Sequence, residues 1–366
     1  MAEQDWSPHR RVMHFVTGGF SGATQVAVDL ATADSQRLQS VLVLRRKDTT
    51  DQARVDALRE RGLEVEVLPG WSHLATIWAL YRLCKRWRPD VLVAHGFPEH
   101  ILGRWAGWLA GVPALVQIEH NSRERYSAWK LWQARWLSRR SARLVGVSEG
   151  VRQSLVELGM PEALTMAIPN GIDLGRFAAA ESRPYEQREP GIVMSARFAR
   201  QKDQETLIHA LALLRKRGLA PKLYLAGAGK ANLRKRAEEL VRELGLGSQV
   251  WFLGHHPNLP ELLMSQQLFV LSTHWEGMPL ALVEGMAAGC ACVASNVPGV
   301  EGVFEHGRSG LLVPERNENA LADALERLLL EPGYAAGLAS EARLHALRHH
   351  GHELMMRRYE MLLLTV

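Results

Sequence analysis

The stretch HWEGMPLALVEGMAAGCACVAS, residues 274–295, places two glutamates around a predicted helix start. Glu276 stands in a short loop after an apolar strand, and Glu284 falls in the second turn of the helix that Pro279 opens. The first N–H groups of a helix lack partners within the helix and attract anions, and Gly277 lets the backbone approach a ligand closely. Two glutamates eight residues apart can also flank an ordinary helix. The acidic loop, glycine and proline together favour an anion-binding site that both glutamates face.

Two cations have a similar position earlier in the sequence. Arg197 and Lys202 lie in the segment SARFARQKD, where a predicted strand ends and a loop begins. Most Arg and Lys residues in loops are solvated surface groups. Ligands of parallel sheets bind beyond the carboxyl ends of strands, however, and this position favours a role for both cations in binding the anion.

The elements that position these residues alternate between strand and helix. The predicted strands are 12–19, 40–46, 64–69, 90–96, 114–120, 143–147, 191–197, 222–229, 249–254, 267–273 and 291–296. The predicted helices are 21–33, 51–62, 73–89, one that begins after the N-cap Ser148, 203–218, 231–245 and most of the tail over 320–364. This alternation predicts stacked β-α-β units and parallel sheets.

A turn-rich segment divides the pattern into two halves. Residues 168–190 contain three prolines, two glycines and many charges, which is typical of a linker. A chain of 366 residues is long enough for two domains. We therefore predict an α/β protein with an N-terminal domain over 1–172 and a C-terminal domain over 173–349. Each is expected to be a doubly wound, Rossmann-like sheet, and the two are expected to face a central cleft.

Residues 274–290 resemble the Glu-x7-Glu signature of retaining glycosyltransferases of family 4 (glycosyl transferases group 1), which have the GT-B fold. Other segments resemble landmarks of that family, in the family's order and along nearly the whole chain. These segments are PNGID at 169–173, SARFARQKD at 195–203, LAGAGK at 225–230, VWFLGH at 250–255 and PGVEGVFEHGRSGLLVP at 298–314. The resemblance implies an acceptor-binding N-terminal domain and a C-terminal domain that binds a nucleotide diphosphate sugar. It also implies that a final helix, about 350–366, packs back on the N-terminal domain.

The resemblance also implies roles for individual residues of the C-terminal domain. Glu284 is the expected acceptor of ribose hydroxyls, and Glu276 is the expected ligand of the donor hexose. Arg197 and Lys202 are expected to neutralise the diphosphate, where negative charge grows as it leaves. The remaining expected donor-binding positions of this domain are Gly227, Gly254, Gly277, Met278, Pro279 and Leu280.

Four residues of the N-terminal domain complete the expected site. His120 ends the strand ALVQIEH and is implied to be nearest the reacting sugar, where it would orient the donor or stabilise positive charge through its carbonyl group. His95 ends the strand DVLVAH, and Gly18 and Gly19 would let the first loop approach the phosphates. A histidine at a strand end can also be a satisfied structural residue, and for His120 and His95 this alternative stays open. The acidic residue that the family has after the glycines is replaced by residues 20–22, Phe-Ser-Gly.

The expected chemistry needs little acid or base from the protein. The resemblance implies a reaction on one face of the sugar, in which the departing phosphate oxygen takes the proton of the incoming hydroxyl. Double displacement by two carboxylates is less favoured, because Glu276 and Glu284 are both expected to bind the donor. The sequence has no Asp-x-Asp motif and no His/Cys cluster with zinc spacing, so we predict a metal-independent enzyme without a cofactor. No G-x-G-x-x-G motif opens either domain, which argues against a dehydrogenase.

The positive charge of the chain is concentrated in its first half. Residues 1–170 contain 22 Lys and Arg against 17 Asp and Glu, whereas the rest of the chain is neutral. Within residues 123–143 seven basic residues accompany Trp129, Trp132 and Trp136 at helical spacing. Such a helix either lies on an anionic membrane or packs its tryptophans into the core. No motif for nucleic-acid recognition accompanies the charge, and we predict no nucleic-acid partner.

The sequence thus predicts a glycosyltransferase that moves a hexose from a UDP- or GDP-sugar to a glycan or lipid-linked acceptor, in the synthesis of cell-surface polysaccharide or glycolipid. A sugar-nucleotide epimerase and a non-catalytic glycan- or membrane-binding scaffold remain alternatives. Three cysteines, no signal peptide and no apolar run of about 20 residues predict a cytoplasmic protein, peripheral on the inner face of the membrane if residues 123–143 bind lipid.

Overall fold

The computed structural model describes residues 9–33, 35–123 and 126–366. By its contacts the chain divides into two units. The N-terminal unit extends to Pro169 and includes Met355–Val366, and the C-terminal unit is Asn170–Leu354. Within the described ranges both units are parallel α/β sheets, which confirms the predicted fold class.

The N-terminal unit is built on a seven-stranded sheet with the order β3-β2-β1-β4-β5-β6-β7. Its strands are β1 (Arg10–Thr17), β2 (Leu38–Arg45), β3 (Val65–Leu68), β4 (Val91–His95), β5 (Ala114–Glu119), β6 (Arg143–Gly146) and β7 (Thr165–Ala167). Its helices are α1 (Gly22–Ala31), α2 (Gln52–Glu60), α3 (His73–Trp87), α4 (Glu99–Ala110), α5 (Ala128–Ser138) and α6 (Glu149–Glu157). The strand order reverses between β1 and β4, so the loops that follow these two strands flank the switch point where doubly wound sheets bind ligands.

The C-terminal unit has a six-stranded sheet with the order β10-β9-β8-β11-β12-β13. Its strands are β8 (Glu189–Ser195), β9 (Leu223–Ala226), β10 (Val250–Gly254), β11 (Gln266–Leu271), β12 (Ala291–Ser295) and β13 (Leu311–Val313). Its helices are α7 (Gln204–Lys216), α8 (Ala231–Glu243), α9 (Leu259–Ser265), α10 (Leu280–Ala287), α11 (Glu318–Leu330) and α12 (Pro332–His349). Here the order reverses between β8 and β11. The last helix, α13 (His352–Thr365), begins in the C-terminal unit and continues into the N-terminal one.

Apolar side chains fill both faces of each sheet, as a parallel sheet covered by helices requires. In the C-terminal unit one cluster packs α7, α8 and α11 on one face, and a second packs α9, α10 and α12 on the other. Cys290 and Cys292 are free, buried thiols in the second cluster. His350 is also buried, with its Nε2 3.3 Å from the carbonyl oxygen of Val303.

The basic segment 123–143 contains α5 (Ala128–Ser138), and its residues 124–125 lie outside the described ranges. Its tryptophans divide between two environments. Trp136 stacks on Trp105 of α4 with ring centroids 4.9 Å apart, while Ala134 and Leu137 are buried. Trp129 and Trp132 are 65% and 50% exposed and stack on each other at 4.8 Å. The prediction that the stripe packs into the core therefore holds only for its last tryptophan.

Among the described residues no helix is both long enough and apolar enough to cross a bilayer.

Candidate functional site

The loop that carries Lys202 is fastened to the end of β11 at the switch point of the C-terminal unit. Lys202 and Thr273 form an antiparallel bridge, and the backbone N–H of Asp203 donates to the carbonyl oxygen of Ser272. The side chain of Ser272 donates back to the carbonyl oxygen of Asp203 at 2.6 Å, and Thr273 Oγ1 lies 3.0 Å from the carbonyl oxygen of Gln201. Two segments about 70 residues apart in sequence are thus held side by side.

This fastening brings Lys202 against Glu276. Their side chains are only 13% and 6% exposed and form an ion pair through Lys202 Nζ and Glu276 Oε1. Thr273 Oγ1 donates to the same oxygen at 2.8 Å, and Gln201 Nε2 donates to the other oxygen, Oε2, at 3.0 Å. The carboxylate is therefore held in a fixed orientation by one cation and two neutral donors. Both charged residues are candidate site residues from the sequence, but the sequence does not indicate that they form an ion pair.

Glu284 lies in the second turn of α10 and is partly buried. Its Oε1 is 3.5 Å from Arg176 Nη1. Burial raises the pKa of the Glu284 carboxyl, and the charge of Arg176 opposes that shift. Pro279 is the N-cap of α10 and the helix begins at Leu280, one residue later than predicted. The carboxylate of Glu284, a hydrogen-bond acceptor, thus lies one turn after the start of α10.

The loop that contains Gly277 packs closely against Gly299. A Cβ atom at Gly299, whose φ is +86°, would lie 2.3 Å from the carbonyl oxygen of Glu276 and 2.7 Å from that of Gly277. Only glycine fits both the space and the left-handed backbone. This contact fixes the loop that leads through Met278 into α10. The signal for it in the sequence is the PGVEG segment at 298–302.

The remaining predicted residues of this unit are Arg197, Gly227 and Gly254, at the carboxyl ends of β8, β9 and β10. Strands β9 and β10 lie on the opposite side of β8 from β11. Gly227 has a φ of +144°, and a Cβ atom there would lie 2.2 Å from the carbonyl oxygen of Ala196. Its N–H donates to the carbonyl oxygen of Gly254 at 2.6 Å. Arg197 is exposed beside them, and within the described part of the chain no hydrogen bond or ion pair is formed by its guanidinium group. Arg197 is thus a cation available to an anionic ligand.

In the N-terminal unit the predicted glycines differ in their surroundings. A Cβ atom at Gly18 would lie 2.7 Å from the carbonyl oxygen of Arg45 and 2.6 Å from Thr50 Oγ1. At Gly19 the nearest atom would be 3.6 Å away. Packing of the first loop against the loop after β2 therefore requires a glycine at 18, whereas 19 has room for a side chain.

His95 and His120 belong to a row of three imidazoles on β1, β4 and the end of β5. His14 Nδ1 is 3.3 Å from His95 Nε2, and His95 Nδ1 is 3.4 Å from His120 Nε2. The outer atoms of the row, His14 Nε2 and His120 Nδ1, are buried without a hydrogen-bond partner among the described residues. Burial lowers the pKa values of His14 and His120 to about 3, and burial with its two neighbours lowers that of His95. All three rings are therefore neutral at pH 7.

Sequence reasoning missed His14 and a set of buried charges in the same unit. Glu99, at the start of α4, is paired with Arg45 at 3.0 Å and Lys47 at 3.4 Å. Its signal in the sequence is a glutamate and histidines in an apolar setting, HGFPEH at 95–100. A second buried glutamate, Glu119, directly precedes His120 and accepts a hydrogen bond from the backbone N–H of His120 at 3.0 Å.

Among residues 9–33, 35–123 and 126–366 no group of three or more His, Cys, Asp or Glu side chains is arranged to hold an ion.

The fold agrees with that of proteins that the chain resembles. The model of Glycosyltransferase Family 4 matches residues 20–176, and that of Glycosyl transferases group 1 matches residues 178–345. The chain is 27% identical over 271 residues to UDP-Gal:alpha-D-GlcNAc-diphosphoundecaprenol alpha-1,3-galactosyltransferase of Escherichia coli, covering 70% of each protein.

Two further proteins widen the comparison. GDP-mannose-dependent alpha-(1-6)-phosphatidylinositol monomannoside mannosyltransferase of Mycobacterium tuberculosis is 29% identical over 54% of this chain and 55% of its own length. The crystal structure of Anabaena Alr3699/HepE in complex with UDP superposes with a TM-score of 0.84 at 21% identity, over 98% of this chain and all of that one. The two family models together cover nearly the whole chain, and its fold is that of GT-B enzymes. The chain is a glycosyltransferase and belongs to glycosyltransferase family 4.

Proposed function

We propose that this enzyme transfers a hexose from a UDP- or GDP-sugar to a hydroxyl of a glycan or lipid-linked acceptor, with retention of configuration and without a metal ion. The observation that carries the proposal is the switch point of the C-terminal unit. There, two cations, two glutamates and a helix start surround the carboxyl ends of β8 and β11. A nucleotide sugar offers matching groups, namely a diphosphate, a ribose and a sugar.

The cations are proposed to hold the diphosphate. Arg197 is exposed and ready to pair, whereas Lys202 already neutralises Glu276. A bound diphosphate would share Lys202 with Glu276, while the hexose hydroxyls would donate to the Glu276 carboxylate. Glu284 would accept from the ribose hydroxyls. Because Lys202 and the N–H groups of the helix start are held in place before the sugar leaves, they stabilise the growing charge without reorganising.

The reaction is proposed to occur on one face of the sugar. The bond between C1 and the phosphate oxygen breaks, and that oxygen takes the proton of the acceptor hydroxyl. The acceptor oxygen then bonds to C1 from the same side, giving the glycoside and a protonated nucleoside diphosphate. His120 is proposed to orient the sugar from the N-terminal unit. A neutral ring suits this role, because it donates or accepts a hydrogen bond without adding positive charge.

The acceptor is proposed to be membrane-bound, in the synthesis of a cell-surface polysaccharide or glycolipid. The relatives from Escherichia coli and Mycobacterium tuberculosis support this choice, because their names include a diphosphoundecaprenol and a phosphatidylinositol. Exposed Trp129 and Trp132 on the basic helix α5 support contact with an anionic membrane surface.

Thermal unfolding with UDP, GDP and ADP, each with and without EDTA, tests the donor part of the proposal. A ligand at 100 times its Kd adds about 2.7 kcal/mol to the free energy of unfolding. We expect UDP or GDP to raise the Tm equally in both buffers, and Arg197→Ala to reduce the rise. A rise that EDTA abolishes would contradict metal independence, and no rise with any nucleotide would contradict the donor site. NMR of the product anomer then tests retention, and release of a new nucleotide sugar without acceptor would indicate an epimerase.

A further inference from the structure

A strip of exposed apolar side chains marks the start of α3. Trp71, Leu74 and Trp78 are 84%, 78% and 62% exposed. Leu74 and Trp78 are one turn apart on the helix, and Trp71 directly precedes its N-cap, Ser72. Large apolar groups that stay this exposed commonly mark a surface that another molecule covers.

A polar groove adjoins this strip at the carboxyl edge of the N-terminal sheet. Its volume is about 610 Å³, and its lining includes Arg46, Lys47 and Thr50 from the loop after β2. Gly70 and Trp71 line it from the loop after β3. Trp71 therefore belongs both to the groove and to the apolar strip.

The two loops that form the groove are fixed against each other. A Cβ atom at Gly70 would lie 1.7 Å from the carbonyl oxygen of Arg46, so no other residue allows this contact. Arg45 Nη2 is 3.4 Å from the carbonyl oxygen of Gly70. The shape of the groove is thus fixed by the packing of these two loops at the edge of the sheet.

The groove is positively charged. Lys47 and Arg45 share one carboxylate, that of Glu99, which leaves one of their two charges uncompensated. Arg46 adds a further exposed cation, and Asp48 is the acidic residue of the lining. The pKa of His73, the first residue of α3, is lowered by burial and then by Arg45, Lys130 and Lys47, with Glu99 opposing them. The start of α3 therefore lies in a positive field.

We propose that this groove binds the diphosphate of a polyprenyl diphosphate-linked acceptor and that the strip of Trp71, Leu74 and Trp78 covers its first isoprene units. The proposal rests on the proposed function, since it names the acceptor of that reaction. A cationic groove next to an uncharged apolar strip matches a ligand with an anion at one end of a hydrocarbon chain. A soluble glycan offers neither part.

Binding of farnesyl diphosphate to the full chain, with UDP present in excess to fill the donor site, tests the proposal. Inorganic pyrophosphate and farnesol serve as probes for the two halves of the ligand. We expect farnesyl diphosphate to bind more tightly than either half. Arg46→Glu should weaken its binding about 10- to 100-fold, because a charged hydrogen bond is lost. Trp71→Ala should weaken it about tenfold, because apolar cover is lost.

Matched control variants come from the same unit. Arg37 is an exposed cation at the amino end of the same strand, β2, and Leu109 is an exposed apolar residue near the end of α4. Arg37→Glu and Leu109→Ala should leave the Kd of farnesyl diphosphate unchanged. Equal weakening by the controls would show a general membrane or charge effect and overturn the groove.

Two other results would also overturn the proposal. One is a Kd of farnesyl diphosphate that does not change in Arg46→Glu. The other is binding of farnesol as tight as that of farnesyl diphosphate, which would indicate a purely apolar surface. Binding of UDP is measured on the same samples. If UDP binds and farnesyl diphosphate does not, the proposal for the groove is refuted and the proposed donor site is not. If UDP does not bind, the proposed function fails whatever the groove does.

Discussion

Removing Lys202 should destabilise the C-terminal unit strongly, because it leaves the Glu276 carboxylate buried without its cation. The two side chains are 13% and 6% exposed, so water replaces the lost charge poorly. Breaking a buried pair in this way costs about 3–5 kcal/mol of the free energy of unfolding. For a unit of this size that corresponds to a fall in Tm of about 6–20 °C. We expect Lys202→Met to show this fall in thermal unfolding.

The double variant Lys202→Met/Glu276→Gln separates stability from ligand binding. It removes both charges. The new amide has an oxygen that can accept from Gln201 Nε2 and an NH2 group that can donate to Thr273 Oγ1, so most of the lost stability should return. If Lys202 also binds the diphosphate, the affinity for UDP or GDP stays low although the Tm recovers. Recovery of both would show a purely structural role for Lys202. A Lys202→Met variant within about 0.5 kcal/mol of the native protein would refute the physical reasoning about the pair.

The other predictions concern both units. His14 has a folded pKa of about 3 against 6.5 when exposed, so lowering the pH from 7.5 to 5 should reduce the free energy of unfolding by about 2 kcal/mol through this residue. His14→Gln should lack that part of the pH dependence in urea unfolding, and parallel curves would contradict it. Gly299→Ala should lower the Tm and weaken nucleotide binding, whereas Gly337→Ala, with open space in α12, should stabilise by about 0.5–1 kcal/mol. Trp136→Ala should cost about 3 kcal/mol, whereas Trp129→Ala should cost at most about 1 kcal/mol and mainly weaken flotation with anionic vesicles. Equal costs for the two tryptophans would contradict their assigned environments.

The alternation of strands and helices could be predicted from the sequence because it depends on local patterns of residues. Apolar runs such as residues 90–96 and 191–197 become central strands, and Ser148 accepts from the N–H of Val151 as a helix N-cap. Strands β7 and β13 were missed because three residues give no periodicity. The helix α4 was missed because buried polar residues such as Arg104 obscure its apolar face.

Contacts between residues that are distant in sequence could not be predicted in this way. His14 stands within the apolar run VMHFV and gives no sign of its neighbours. Only the register of β1 on β4, which pairs His14 with Val93, brings its ring next to that of His95. The pairing of Lys202 with Glu276 likewise depends on how a loop folds across the end of β11. A sequence shows which residues are charged, but the free energy of burying a charge depends on a partner that the fold supplies.

The row of three imidazoles links one end of the site to a residue deep in the sheet. A neutral imidazole carries one N–H and one lone pair. If His95 donates to His14, it must accept from His120, and His120 Nδ1 then carries a lone pair. If His14 donates to His95, the direction reverses, and His120 Nδ1 carries a proton. The row therefore has two states, and the tautomer of His14 on β1 decides whether the buried His120 Nδ1 carries a proton or a lone pair.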